Sequence, residues 1–254
     1  MTQLTLDIAP RRVQRKNAPG NTGYQKFQRS FIRLLGETAR YHHRHEVFRD
    51  LVAMGTLAMQ NAFLRSPVLE EEYLAIAGRY QAEDMTRMAQ LIGCIAGALD
   101  CRAGDFLGEI FMELEIGSTH MGQFFTPYSA SRLMAKLTVS HMAKQLERHP
   151  FITLDDPTCG AGSMVIAACE LMLDQGINPQ QKLYARCTDI DAVAAHMCYL
   201  QLSYLGVPAE VVVGNSLTLK AYRSYRTPMW YIGNWGQQLA ARDLVDGFRR
   251  FLPD

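Results

Sequence analysis

The sequence predicts an α/β fold: a parallel sheet with crossover helices, preceded by an all-helical domain. Three observations lead there. Between residues 151 and 216, three short β-rich runs alternate with two apolar helical runs. Before residue 120, apolar residues recur near the helical period. A Gly-punctuated turn joins the first β-run to its helix, as strand-to-helix connections in such sheets require.

The elements follow in order. Residues 1–23 are polar, basic and turn-rich, and read as a flexible basic arm. Residues 24–120 read as a helical domain. In "HEVFRDLVAMGTLAMQNAFL", Val47/Phe48, Leu51/Val52, Ala58/Met59 and Ala62/Phe63 form one apolar stripe. "SPVLEEEYLAIAGRY" opens with Ser66 as a cap and Pro67 in the first turn, with acids near the positive helix end. Met85, Met88, Ile92, Ile95 and Leu99 mark a third helix, and "GDFLGEIFMELEIG" a short fourth. Residues 121–254 read as a second domain. Ser129 opens a helix, "FITLDD" is a strand, and "GSMVIAACELMLDQG" is a helix ending at Gly176. "KLYARCTDID" is the second strand, "DAVAAHMCYLQLSYLG" the next helix and "AEVVVGNS" the third strand. Met229, Trp230 and Tyr231 read as a buried fourth strand.

Composition narrows the function classes. The chain has 254 residues, is 48% hydrophobic and 20% charged, and carries a net charge of +1, so no global basic field exists. The first 50 residues are locally basic, with ten Lys/Arg against four acids. That region suits either a phosphate contact or a solvated face. Six cysteines form no C-x-x-C pair, and His42 and His45 have no carboxylate or cysteine spacing to complete a metal site, so no metal is expected. No secretory h-region and no apolar run near the roughly 20 residues of a membrane span is present, which points to a reducing cytoplasm and no membrane partner.

The turn "DDPTCGAGSMVIAA" carries the ligand argument. Gly160 and Gly162 lie where a parallel sheet binds ligands, outside a strand's carboxyl end, at a helix amino-terminus with free N–H groups. The third glycine of G-x-G-x-x-G is missing, which disfavours a dinucleotide. Asp189 ends the second strand, where a carboxylate can accept from both hydroxyls of a ribose. Asn215 and Ser216 end the third strand, where an adenine edge would lie. The three strand ends describe an adenosine-shaped site. Asp155 and Asp156 end the first strand, and Asp155 reads as an exposed strand end.

These residues resemble a known family. "DPTCGAGSMVIAA" is similar to motif I of S-adenosylmethionine-dependent DNA adenine-N6 methyltransferases of the gamma class, especially modification subunits of type I restriction systems. "GQFFTP", Gly122 to Pro127, resembles their motif X, "DFLGEIFMEL" the helix before it, and "TDIDAVAAHMCYLQLSYLG" motif II and its helix. The resemblance covers roughly residues 100–217. It implies a Rossmann-like methyltransferase sheet, incomplete in this chain, and S-adenosylmethionine as cofactor. It implies that Thr126 and Pro127, with Phe124 and Phe125 nearby, border the methionine moiety, one of the two phenylalanines packing in the core. It places Asp156, Gly160 and Gly162 near the amino-acid group, Asp189 on the ribose and Ile190 over the adenine. Asn215 stands where the family usually has aspartate against the adenine amine; its side-chain oxygen can still accept.

The family's [DNS]-P-P-[FYW] tetrapeptide, which orients the adenine amine, has no clear counterpart. The nearest approach is "TPMW", making Thr227, Pro228 and Trp230 the catalytic candidates. "YRSYR", Tyr222 to Arg226, interleaves aromatics with arginines, which suits a nucleic-acid strand or a surface loop. The resemblance thus implies methyl transfer to adenine in DNA, with DNA as partner and a possible separate subunit for sequence recognition. Two other readings stand beside it: a catalytically inactive cofactor- or DNA-binding homologue acting as a regulator or anti-restriction partner, and a methyltransferase on a non-DNA amine.

Overall fold

The computed structural model describes residues 20–114 and 125–249. Residues 1–19 of the basic arm lie outside the described residues, and residues 20–23 form the first turn of a helix. Among the described residues five helices come first: α1 (Gly20–Glu37), α2 (Arg44–Leu64), α3 (Pro67–Ala77), α4 (Ala82–Cys101) and α5 (Phe106–Glu113). After α6 (Tyr128–Leu146) the chain alternates: β1 (Ile152–Asp156), α7 (Ser163–Asp174), the short α8 (Pro179–Lys182), β2 (Leu183–Asp189), α9 (Ala192–Tyr204) and β3 (Ala209–Asn215). It continues through β4 (Lys220–Arg226), α10 (Pro228–Ile232) and α11 (Trp235–Arg249). The sheet order is β1-β2-β3-β4. β1, β2 and β3 run parallel, and β4 returns antiparallel to β3 with a register shift at Val213/Gly214. The protein therefore has the expected α/β architecture behind a helical amino-terminal region.

The two faces of the sheet differ. Ile152, Ala185, Cys187, Ala209 and Val211 share a buried face on which α7 and α9 pack. Thr153, Asp155 and Arg186 occupy the opposite face and are exposed. Near the amino-terminal strand ends that polar face is capped by Trp235, which stacks on Tyr184 at 6.0 Å and meets Phe151 edge-on at 4.9 Å. α9 is buried between the sheet and the helices α2, α4 and α5. Gly55 makes the α2 contact close, since a Cβ there would lie 3.3 Å from both Leu200 methyls. One buried cluster thus runs from Tyr24 and Phe31 through Phe106 and Leu200 to Val211 and Tyr225.

Several element expectations need correction. Ser66 occupies the position before α3, with Pro67 following it, but its hydroxyl makes no capping bond. Pro127, not Ser129, precedes the first residue of α6. The fourth strand lies earlier than expected, over "KAYRSYR", and Met229, Trp230 and Tyr231 are helical in α10. "YRSYR" is consequently a strand rather than a loop. Two of its arginines have acidic partners: Arg223 meets Glu72 at 2.6 Å, and Arg226 lies 3.7 Å from Glu210 with its guanidinium over Trp230.

Thr227 is a fold residue. It is fully buried, and its Oγ1 accepts from Ala209 N–H at 2.9 Å while donating to the Val207 carbonyl at 2.7 Å. Those bonds fasten the start of α10 to the start of β3. Thr227→Val keeps the volume but strands the buried Ala209 N–H, and should lower unfolding free energy by about 1–3 kcal/mol. Urea denaturation checks this; an unchanged midpoint would remove Thr227 from the fold's hydrogen-bonded frame.

Candidate cofactor-binding site

A pocket opens at the carboxyl ends of β1, β2 and β3. After Asp156 the chain turns through Pro157, Thr158, Cys159, Gly160, Ala161 and Gly162 into α7. Both glycines are in the positive-φ region, Gly160 at 53° and Gly162 at 91°. The space around them is also closed to a side chain. A Cβ at Gly160 would lie 2.8 Å from the Phe125 ring, and one at Gly162 would lie 2.9 Å from Cys198 Sγ. The turn is closed by Gly162 N–H donating to Cys159 O at 2.8 Å, and it is tied to β2 by Cys159 N–H donating to Thr188 O at 2.9 Å.

Two carboxylates face this turn. Asp189 Oδ2 accepts from Gly160 N–H at 2.8 Å and Oδ1 from Asp191 N–H at 2.9 Å. A carboxylate has about four acceptor positions, so Asp189 retains capacity for two more donors. Burial raises its pKa, with the Asp191 charge adding to the shift and the backbone amides of Asp191, Gly160 and Ile190 opposing it. Asp156 Oδ1 accepts weakly from Thr158 N–H at 3.3 Å, while its Oδ2 is buried without a partner among the described residues. Burial pushes the Asp156 carboxyl up to about 6, and the nearby thiol of Cys187 and carboxylates of Asp189 and Asp155 act in the same direction. A buried acceptor without a donor calls for a ligand donor, and a cationic one restores the ordinary ionised form.

The cavity measures about 470 Å³, within the size of small-molecule sites, and Thr126, Asp156, Gly160, Asp189, Ile190 and Asn215 all line it. Pro127, which precedes α6, and Gly162, which precedes α7, do not line it. Phe124 lies outside the described residues; its neighbour Phe125 is the aromatic that meets the loop. Ile190, 63% exposed, and Leu217, 94% exposed, form an apolar rim. Asn215 differs from expectation: its side-chain oxygen already accepts from Leu217 N–H and Thr218 N–H, both at 3.0 Å, closing the turn into β4. Its two lone pairs are used, so in this conformation only the amide NH₂ remains for a ligand. The arrangement suits a ligand with a cationic amine, a vicinal diol and a flat apolar end.

Thr227, Pro228 and Trp230 are not brought to this pocket. Thr227 bonds to Ala209 at the first residue of β3, whereas the pocket lies past Asn215 at its last. At about 3.3 Å per residue the two ends are roughly 20 Å apart. Trp230 packs instead beside Phe151, Tyr184 and Trp235. Among the described residues no cluster of His, Cys, Asp or Glu suits a metal ion; His42 pairs with Glu46 at 3.2 Å.

Residues 105–230 match the family model described as N-6 DNA Methylase. No curated protein matches the sequence. Among solved structures, the chain is similar to a candidate class I S-adenosylmethionine-dependent methyltransferase from Listeria monocytogenes, at 12% identity and TM-score 0.44 over 74% of this chain and 52% of that one. It is similar to the methyltransferase subunit of a type I restriction-modification system from Streptococcus thermophilus, at 15% identity and TM-score 0.37 over 74% and 56% of the two chains. It is also similar to the DrdV–DNA complex, at 13% identity and TM-score 0.37 over 73% of this chain and 21% of that one. The chain spans about half the length of the first two and about a fifth of the third.

Gly160→Ala should destabilise the protein by about 1–2 kcal/mol, because alanine is disfavoured at positive φ and meets the Phe125 ring. Adding Phe125→Ala should recover only the steric part; full recovery in chemical denaturation would show that the backbone angle costs nothing. Asp156 makes a pH prediction. Its folded pKa is raised, so the stability it contributes is present below the unfolded value of about 4 and lost as pH rises through about 6. Asp156→Asn should therefore stabilise the ligand-free protein at pH 7 by about 1 kcal/mol, with solvent screening holding the gain there. The gain should vanish near pH 4; a gain independent of pH contradicts the assignment.

Proposed function

We propose that this chain, which belongs to the N-6 DNA methylase family through residues 105–230, binds S-adenosylmethionine in the pocket at the ends of β1, β2 and β3 and methylates the exocyclic amine of adenine in DNA. The observation that carries the reading is the pair of acids around the glycine turn. Asp189 is held by the Gly160 amide with acceptor capacity to spare, and Asp156 has a buried oxygen with no partner among the described residues.

The residues fit the cofactor group by group. Asp156 Oδ2 would take the ammonium, and the Gly160–Gly162 turn with the start of α7 would lie along the amino-acid end. Asp189 would accept from the ribose hydroxyls. Ile190 would cover the adenine, with the Asn215 amide at its edge. Thr126 and Pro127 would border the methionine chain. The bound sulfonium supplies an electrophilic methyl group. The protein's contribution is to fix its direction and to keep water from the apolar side of the pocket. Six free cysteines suit a reducing cytoplasm, and a separate subunit would supply target recognition.

A second reading, a homologue that binds cofactor or DNA without turnover, is favoured by one observation. Thr227, the polar residue of "TPMW", spends its hydroxyl on the β3 backbone at the far end of the sheet. It does not hold an acceptor amine there.

Labelled methyl transfer from S-adenosylmethionine, with DNA, RNA and protein offered together, separates the readings. The proposal expects label on adenine in DNA and loss of transfer in Asp189→Ala. Label in RNA or protein moves the substrate class. Cofactor binding without transfer supports the second reading, and no binding by calorimetry at high micromolar concentration sinks the proposal and leaves of the second reading only a homologue that binds DNA alone.

A further inference from the structure

Gln201 is completely buried in α9, a helix otherwise lined with apolar residues on its inner face. Its carboxamide makes three bonds to two distant segments. Nε2 donates to Asp105 Oδ1 at 2.8 Å and to the Ala161 carbonyl at 2.8 Å, and Oε1 accepts from Leu107 N–H at 3.0 Å. Asp105 caps α5, accepting from Gly108 N–H at 3.0 Å. The orientation of the amide follows from its partners. Two acceptors face the NH₂ and one donor faces the oxygen, so a flipped amide would mismatch all three.

Ala161 is the residue between the two positive-φ glycines. A Gly-Ala-Gly turn has many backbone shapes open to it, since glycine restricts φ so little. The Gly160 amide is held from the strand side by Asp189. The Ala161 carbonyl is buried, and Gln201 is what holds it from the helix side. No other side chain replaces this one: glutamate lacks the NH₂, asparagine is one carbon short, and apolar residues of the same volume leave the carbonyl and the Leu107 N–H without partners.

We propose that Gln201 is a positioning residue: it fixes the shape of the glycine turn, and through it the cofactor pocket, to the start of α5. It touches no ligand. It acts through the Ala161 peptide, so that the amide of Gly160 keeps its direction toward Asp189 and the turn keeps room for a ligand. The effect on cofactor affinity rests on the S-adenosylmethionine reading; the effect on the turn does not.

The test compares Gln201→Met, which keeps the volume, with Leu202→Ala, a cavity in the same helix that leaves the Gln201 bonds intact. Both are studied in the full chain at low temperature, with folding verified by near-ultraviolet circular dichroism. Amide exchange read by mass spectrometry should speed up across residues 158–163 in Gln201→Met and stay at the wild-type rate there in Leu202→Ala. S-adenosylmethionine affinity should fall about tenfold in Gln201→Met alone. Equal changes in both variants would mean that Gln201 is packing only, and unchanged turn exchange in Gln201→Met overturns the proposal. If Gln201→Met does not fold, Gln201→Leu, which also removes all three bonds without adding a charge, gives the same comparison. A wild-type protein that binds no cofactor contradicts the functional reading, and the exchange data then decide the role of Gln201 by themselves.

Discussion

The hydrogen bond from Gly160 N–H to Asp189 Oδ2 is the contact on which the site depends. It joins the turn after β1 to the last residue of β2, and with the neighbouring Cys159–Thr188 bond it sets the distance between the two strand ends. Making it requires Gly160 at φ 53°, a conformation that places the amide toward β2 and leaves no room for a Cβ against Phe125. The bond also places a carboxylate at the mouth of a pocket while leaving half of its acceptor capacity open. Cys159 N–H on Thr188 O repeats the link one residue earlier, so the turn lies across the end of β2 rather than projecting into solvent.

The helical region supports this site from behind. α9 contributes Asp191, whose side chain accepts from Val193 N–H, at its pocket end, and Leu200, Gln201 and Leu202, all fully buried, further along. Helices α2, α4 and α5 close over it, so an interior amide such as Gln201 is tolerated only because Asp105, Ala161 and Leu107 satisfy its hydrogen bonds. The Asp105 carboxyl shows the cost of that interior: burial raises it to about 6 despite its bonds to Gln201 and Gly108.

Much of this was legible in the sequence, for definite reasons. The parallel strands are short apolar runs punctuated by Gly160, Gly162, Gly176 and Gly206, all at positive φ, and such glycines mark where elements end. Asp189 could be placed because a strand-end carboxylate follows from the β-α-β spacing. β4 could not, because "KAYRSYR" is a mostly exposed edge strand whose charges hide the alternation. Met229, Trp230 and Tyr231 have the apolar and aromatic character of a strand, but Pro228 in the first turn of α10 sets a helix. Asn215 was placed correctly at the end of β3, yet its use of both lone pairs in the turn to β4 depends on the conformation of Leu217 and Thr218. Gln201 gave no local signal at all: one glutamine in an apolar helix reads as a solvent-facing residue until the segments at Asp105 and Ala161 are brought to it.

The central claim is that the ends of β1, β2 and β3 form one adenosyl pocket, and a crystal structure of the chain grown with S-adenosylmethionine tests it most directly. The account predicts ligand density along the Gly160–Gly162 turn, the ribose hydroxyls on Asp189 and the ammonium on the free oxygen of Asp156. Clear ligand density elsewhere on the molecule, with Asp156 and Asp189 unchanged, would contradict it.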